Sequence, residues 1–184
     1  PSCLADTPST RIDLAAYYDE IFRFDYYVGD FVKILKEQDA LENTFIIIMA
    51  DNGRPFPRAK TRLIDSGIKT PFIIYWKGKI QTKGVDSESL ISVIDIAPTI
   101  VDLAGFDIPE SFQGRSFKNL LDDPDSAFRN YAFAEHNWHD YEAFERMLRT
   151  EDYLDIINER TEFMNQGPAD VVGSDSFKDL LKLK

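Results

Sequence analysis

An Asp-Asn-Gly tripeptide at residues 51–53 has the composition of a cation site. The carboxylate of Asp51 and the amide of Asn52 are adjacent hard oxygen donors of the kind that Ca²⁺ or Mg²⁺ takes, and Gly53 allows a sharp backbone turn. The tripeptide directly follows an apolar run at residues 45–50, which predicts a fully buried central strand that ends at this site. An Asx-type turn that only closes the strand is the alternative interpretation.

The nine residues after this tripeptide contain four basic side chains and no acidic one: Arg54, Arg58, Lys60 and Arg62. Pro55 and Pro57 exclude a helix interior or a central strand, so this segment is predicted to be a loop. A metal ion beside Lys and Arg donors would polarise and neutralise a sulfuryl or phosphoryl group. We refer to residues 54–62 as the basic loop; the alternative is a solvated loop without a ligand.

The only two histidines, His136 and His139, lie close together after a predicted strand at residues 131–135. On a loop they could act as proton donors, ligands or sugar-binding groups, and Trp138 and Tyr141 would suit stacking on a sugar ring. Idle surface histidines are the alternative. Since the sequence contains neither a Gly-x-Ser-x-Gly elbow nor a P-loop, the residues alone predict half of a metal-assisted anion-transfer site without a nucleophile.

The elements that position these residues alternate between helices and strands. Thr7 and Pro8 begin a long amphipathic helix that ends near Gln38, a second buried strand is predicted at residues 71–76, and Pro98 and Gly105 bracket a short helix. The alternation predicts an α/β fold with a mostly parallel sheet flanked by helices. We expect residues 1–125 to form part of this α/β domain.

The remaining residues, 126–184, are predicted to form a small α+β appendage. Strands are expected at residues 131–135 and 146–157, and a short terminal helix at residues 176–183. The polar stretch before this region marks the boundary.

The composition excludes several classes of partner. A formal net charge of -11 argues against nucleic acid and anionic membrane surfaces, because the chain lacks a general positive field. No apolar run is long enough to span a bilayer. The single Cys3 excludes an intrachain disulfide framework and a cysteine-based zinc site.

The order of motifs resembles the second half of the sulfatase family, within the alkaline phosphatase superfamily. The matching pieces are Tyr17-Tyr18-Asp19-Glu20-Ile21, Asp51-Asn52-Gly53, residues 70–78 (TPFIIYWKG), residues 92–99 (SVIDIAPT) and Leu103-Ala104-Gly105. Within the family, the sulfamidases that act on N-sulfoglucosamine have a similar short loop, which here places Pro55-Phe56-Pro57 one residue after the tripeptide. The resemblance covers nearly the whole chain.

The resemblance implies roles for individual residues. Asp51 and Asn52 would ligate Ca²⁺, with Mg²⁺ as the other candidate, and Lys60 would contact the sulfate. The remaining substrate contacts would come from the basic loop and the C-terminal strands, namely from Arg58, His136, His139 and Arg146. The implied substrate is a sulfated saccharide, and the implied compartment is periplasmic, secreted or lysosomal.

The sequence departs from the family pattern in one respect that bears on activity. Sulfatases use a Cys or Ser, oxidised to formylglycine, in a Cys-x-Pro-x-Arg type of motif, and that motif is absent here. We therefore expect a catalytically inactive portion whose missing N-terminal half supplies the nucleophile, and whose exposed strand edges favour self-association. A non-catalytic sugar-binding homologue and a phosphodiesterase or phosphomutase of the same superfamily are the alternatives.

Overall fold

The computed structural model describes residues 4–80, 82, 84–162 and 167–183, so Cys3 lies outside the described residues. Helices and strands follow one another as α1 (Pro8–Glu37), β1 (Ile46–Met49), α2 (Asp65–Ile68), β2 (Phe72–Tyr75), α3 (Ile96–Leu103), α4 (Lys118–Asp122), β3 (Ala132–His139), β4 (Tyr141–Arg149), β5 (Leu154–Asn158), α5 (Ala169–Val172) and α6 (Asp175–Lys182). The prediction of a mixed helix and strand chain is confirmed.

Helix α1 begins and ends as predicted. The Thr7 hydroxyl accepts a hydrogen bond from the Thr10 N–H, and Pro8 occupies the first turn. The apolar side chains of this helix are less covered than an amphipathic helix predicts, since Tyr18 and Ile21 are exposed. Among the described residues, none of the helices combines the length and the apolar character that a membrane crossing requires.

Strands β1 and β2 pair antiparallel, with Ile46 opposite Tyr75 and Met49 opposite Phe72. The predicted parallel arrangement is therefore wrong for this pair, and in the described part of the chain the two strands form a sheet of their own. Full burial is also wrong, because β1 has three half-buried residues and an exposed Met49, and β2 alternates between half-buried and exposed residues. This alternation is typical of an antiparallel strand with one open face.

The chain packs into two compact units. Unit 1 comprises Pro1–Lys77, His136–Glu145 and Asn158–Lys184, and unit 2 comprises Gly78–Glu135 and Arg146–Ile157. The boundary at residue 125 between two consecutive domains stays a prediction.

Unit 2 is built around the buried carboxylate of Asp95, which directly precedes helix α3. The short helix predicted between Pro98 and Gly105 is confirmed in type, with a start two residues earlier. Gly105 ends it with a φ of 79°, a conformation that a glycine adopts at little cost. Phe106, the residue after Gly105, is exposed.

Strands β3, β4 and β5 form a three-stranded sheet in that order. The loop predicted for His136 and His139 is wrong, because β3 continues to His139 and turns at Asp140, whose φ is 52°. The single strand predicted at residues 146–157 is two strands, separated by a turn in which the Thr150 N–H donates to the Tyr153 carbonyl. The terminal helix is confirmed as α6.

Candidate active site

Asp51 and Asn52 follow the end of β1, as predicted, and both reach toward solvent to different degrees. Asp51 is exposed and Asn52 is half-buried. The Asn52 amide nitrogen donates to the Gly53 carbonyl oxygen at 2.7 Å, which fixes the side chain and leaves its carbonyl oxygen as the atom that a cation would ligate. The pair therefore offers two oxygen ligands of different charge.

These two donors fit a calcium site only as part of its shell. Ca²⁺ takes six to eight oxygen ligands, and two side chains supply a minority of them. Within the described part of the chain, no group of three or more His, Cys, Asp or Glu side chains could hold a metal ion. The donor chemistry suits a hard cation, and the rest of the shell has to come from elsewhere.

At Gly53 the backbone of the Asp-Asn-Gly turn lies very close to the backbone of Ser66 and Gly67. Its N–H donates to the Gly67 carbonyl oxygen at 2.8 Å, and a Cβ atom at Gly53 would lie 2.6 Å from the Gly67 Cα and overlap the Ser66 carbonyl oxygen. Because these neighbours are backbone atoms, they cannot move aside as a side-chain tip can. The contact ties the Asp-Asn-Gly turn to helix α2.

Replacement of Gly53 by alanine is expected to destabilise the protein by about 1–3 kcal/mol, the usual cost of overpacking. Gly29 is the matched control, since it lies in α1 and an added Cβ would meet no neighbouring atom within 4 Å. Gly29→Ala should instead stabilise the helix by about 0.5–1 kcal/mol. Urea unfolding measures both variants, and a Gly53→Ala protein as stable as Gly29→Ala would refute the close approach.

The basic loop is a compact structure anchored by apolar side chains. Phe56, Ala59 and the adjacent Leu63 are buried, and the Phe56 ring meets the Tyr17 ring of α1 edge-on at 5.5 Å. The Lys60 N–H donates to the Arg54 carbonyl oxygen at 3.1 Å and closes the loop on itself. The backbone that carries the basic side chains is thereby fixed.

Two non-glycine residues of the basic loop have positive φ angles, 62° at Arg58 and 66° at Thr61. The second is unusual because Thr is β-branched. Such conformations persist only where the surrounding structure enforces them, and they concentrate at functional sites. Here the Ser66 hydroxyl holds the first of them by donating to the Arg58 carbonyl oxygen.

Lys60, which the resemblance assigns to the sulfate, forms an ion pair with Asp170. Its Nζ lies 2.7 Å from the Asp170 Oδ2, and its side chain is largely buried. Nearby, the Ala169 N–H donates to the Asp140 Oδ2 at 2.7 Å. This hydrogen bond chiefly lowers the pKa of Asp140 below its ordinary value, with further contributions from His139 and Lys60. The ammonium group thus lies among carboxylates that orient it.

Arg62 and His136 meet on opposite oxygens of Glu145, whose residue is only 4% exposed. Arg62 Nη2 lies 3.9 Å from Oε1, and His136 Nδ1 lies 3.1 Å from Oε2. Since the carboxylate accepts, the proton of a neutral His136 sits on Nδ1. Burial lowers the pKa of Arg62; Glu145 opposes this shift, whereas Arg58 adds to it by repulsion.

Six of the seven predicted site residues belong to the same compact unit. Lys60, His136 and His139 lie in unit 1 with Asp51, Asn52 and Arg58. His139 Nδ1 lies 3.3 Å from the Asp140 Oδ2, with both side chains well exposed. Arg146 belongs to unit 2, where its Nε lies 3.4 Å from the Glu135 Oε2.

The sequence interpretation missed Glu145, Asp140 and Asp170 as partners of the basic residues. A signal existed for the first of them: Ala143, Glu145 and Met147 occupy the same face of β4, and the last two are buried. An acid at a core-facing position of a strand requires a buried partner. Asp140 and Asp170 carry no comparable signal in the sequence.

Comparison with known proteins decides the family. The family model "Sulfatase" matches residues 6–106, which is more than half of the chain. The chain belongs to the sulfatase family. A second model, "N-sulphoglucosamine sulphohydrolase, C-terminal", matches residues 59–163 of this sulfatase chain.

Individual relatives agree with this assignment. The sulfatase chain is 36% identical over 117 residues to an ulvan-active sulfatase of Formosa agariphila, covering 64% of the chain and 20% of the relative. It is 36% identical over 109 residues to the N-sulphoglucosamine sulphohydrolase of Homo sapiens, covering 59% of the chain and 21% of the relative. The chain thus spans about a fifth of the length of each of these relatives.

A solved structure confirms the predicted fold class. The sulfatase chain superposes with a TM-score of 0.63 and 22% identity on an enzyme in complex with its substrate D-glucosamine-2-N,6-O-disulfate. The match covers 77% of this chain and 30% of that chain, and at this identity it shows the fold alone. The two small sheets therefore belong to an alkaline-phosphatase-like α/β fold.

Proposed function

We propose that this chain is the C-terminal portion of a hydrolase that removes sulfate from a sulfated sugar, with N-sulfoglucosamine as its substrate unit. One observation carries the proposal: the folded basic loop directly follows the Asp-Asn-Gly turn in a sulfatase chain. The match to the C-terminal model of N-sulphoglucosamine sulphohydrolases supports the N-linked substrate over an O-linked one.

In this proposal Asp51 and Asn52 hold Ca²⁺, which polarises the sulfuryl oxygens when bound. Lys60 neutralises the negative charge that grows on the sulfate as the N–S bond breaks, and Asp170 keeps the ammonium aimed. Arg58, His136, His139 and Arg146 contact the sugar and its other anionic groups. The nucleophile, a formylglycine hydrate, is expected from the N-terminal part of the full-length protein, so the 184-residue chain alone is expected to be inactive.

The reaction consumes one water molecule. The sulfur–nitrogen bond breaks, an oxygen from water joins the sulfur, and the amine leaves with a proton. Sulfate release from N-sulfoglucosamine and from glucosamine 6-sulfate, measured with the full-length protein, tests the assignment. Turnover of the first substrate only is the expected result; turnover of the second only would move the specificity to O-sulfate, and turnover of neither would reject the hydrolase.

Lys60→Ala should lower kcat/KM for the sulfated substrate by about 30- to 1,000-fold, equivalent to about 2–4 kcal/mol of lost transition-state stabilisation. Asp170→Ala is the matched control, because it breaks the same ion pair but leaves the ammonium group in place. A clearly smaller loss is expected for the control, because the ammonium group remains and only its orientation by Asp170 is lost. An equal loss in both variants would show that Lys60 acts by tethering α5, and an unaffected Lys60→Ala would transfer the role to Arg58 or Arg62.

A further inference from the structure

A second site of recognisable chemistry lies in unit 2, apart from the residues assigned to hydrolysis. A cleft of about 370 Å³ is lined by Gln113, Arg115, Phe128, Arg129, Asn130 and Tyr131. Its volume is within the range of small-molecule sites. None of these six lining residues is acidic, although the chain as a whole carries a net charge of -11.

The two arginines of the cleft have different tasks. Arg129 is 11% exposed at its side chain and forms a two-point ion pair with the fully buried Asp95. Its charge is therefore already compensated within the unit. Arg115 is exposed, and it contacts Asp95 through its backbone N–H at 2.8 Å.

The guanidinium group of Arg115 is held in one orientation. It lies over the Phe128 ring, 4.9 Å from the centroid, and its Nη2 donates to the Phe128 carbonyl oxygen at 2.8 Å. The Phe128 carbonyl oxygen accepts from one of the five N–H donors of the Arg115 guanidinium group. A guanidinium fixed in this way is pre-organised for two-point recognition of a sulfate or carboxylate, because little side-chain entropy is lost on binding.

The rest of the cleft suits a sugar ring. Tyr131 lines the cleft and is half exposed, and its ring centroid lies 5.2 Å from that of Phe133. Gln113 and Asn130 add amide groups that both donate and accept, as sugar hydroxyls do. One cation, aromatic surface and two amides form a set of groups that matches one acidic sugar residue.

We propose that this cleft binds an anionic saccharide unit, with Arg115 on its sulfate or carboxylate group and Tyr131 against its ring. The cleft shares no lining residue with the set assigned to hydrolysis. Sugar binding at this cleft is a separate property from the proposed sulfate hydrolysis, so an experiment can refute one without refuting the other.

Amide chemical shifts of ¹⁵N-labelled protein test the proposal at the cleft itself. The probes are glucosamine 6-sulfate, an unsulfated glucuronate-containing disaccharide and inorganic sulfate. Saturable shifts at Arg115, Asn130 and Tyr131 are expected with one or both sugars, and the comparison of the two sugars identifies the anion. Equal affinity for inorganic sulfate would overturn the sugar assignment, and the absence of saturable shifts with either sugar would overturn the site.

Arg115→Gln should weaken the sugar affinity about 10-fold, because it removes the charged donor. The variant keeps the backbone N–H of residue 115, which donates a hydrogen bond to the Asp95 carboxylate. Lys118→Gln is the matched control: it removes a positive charge three residues away that pairs with Asp102 outside the cleft, and a change below about two-fold is expected. Equal effects of the two variants would reduce the binding to general electrostatics and reject the proposal.

Two further variants separate the cleft from the basic loop. Lys60→Ala should leave the shifts at Arg115 unchanged, whereas their loss would place the bound sugar at the basic loop instead. Tyr131→Ala, at an exposed position, should weaken binding of the sugar but not of inorganic sulfate. An unchanged sugar affinity in Tyr131→Ala would remove the ring contact from the proposal.

Discussion

Replacement of Asp51 by alanine is expected to abolish calcium-dependent sulfate release by the full-length protein. Of the two proposed ligands in this chain, only Asp51 carries a charge, and it is exposed at the end of β1 where a cation can reach it. A Ca²⁺ ion that loses a carboxylate loses both affinity and position. Without the cation, Lys60 alone would have to neutralise the negative charge on the sulfate. Lys60 already forms an ion pair with Asp170.

The measurement is sulfate release at rising Ca²⁺ concentrations, together with the melting temperature in the same series. Ca²⁺ should raise the melting temperature of the unmodified protein and not that of Asp51→Ala, since a ligand that binds only the folded state stabilises it. Asp51→Asn, which keeps one oxygen, should retain part of its activity at high Ca²⁺.

Asp30 provides the control for a general charge effect, because it is exposed in α1. Asp30→Ala should have normal kinetics and a normal calcium-dependent rise in melting temperature. If Asp51→Ala kept full activity and the same rise, Asp51 would be removed from the ligand set, and the Asp-Asn-Gly turn would be only a turn.

The parts of the fold that could be predicted are those whose causes are local. Thr7 and Pro8 determine the start of α1 through capping and backbone geometry. The two prolines after Arg54 rule out regular structure whatever surrounds them. The position of the Asp-Asn-Gly turn after a β-branched run could be predicted from the sequence alone, because its cause is also local.

The direction of strand pairing could not be predicted, because it depends on contacts far apart in the sequence. Two short apolar runs are compatible with parallel and antiparallel neighbours alike, and the structure pairs Ile47 with Ile74 in the antiparallel sense. The β3–β4 hairpin was missed for another reason. Its turn at Asp140 contains neither Gly nor Pro, and an aspartate that adopts a positive φ leaves a weak signal.

The apolar surface of α1 shows the limit of a periodicity argument. The spacing of Tyr18 and Ile21 indicates a covered face, yet both are exposed in this chain, as is Phe22 on the same helix. The relatives are about five times longer than the part that this chain matches. We propose that the remaining sulfatase polypeptide covers this surface, which no pattern within the 184 residues could specify.

Asp95→Ala is expected to be the most destabilising single substitution in unit 2, with a loss of about 3–5 kcal/mol. The Asp95 carboxylate is 0% exposed and accepts hydrogen bonds from the Ser92 N–H at 2.9 Å, the Arg115 N–H at 2.8 Å and the Arg129 guanidinium. Alanine would leave these donors unpaired and the Arg129 cation without its counter-charge. Urea unfolding, with hydrogen exchange at the Ser92 and Arg115 amides, measures the loss.

Asp102→Ala is the matched control. The Asp102 carboxylate lies in helix α3, which Asp95 precedes, and it also accepts hydrogen bonds, from Ser116 and Lys118. Unlike the Asp95 carboxylate, it lies at the surface. A much smaller loss is expected there, as solvent replaces the lost partners. The double variant Asp95→Ala with Arg129→Met should recover part of the stability, since it removes the uncompensated cation as well. Similar losses for Asp95→Ala and Asp102→Ala would mean that the buried Asp95 carboxylate stabilises unit 2 no more than a surface carboxylate does.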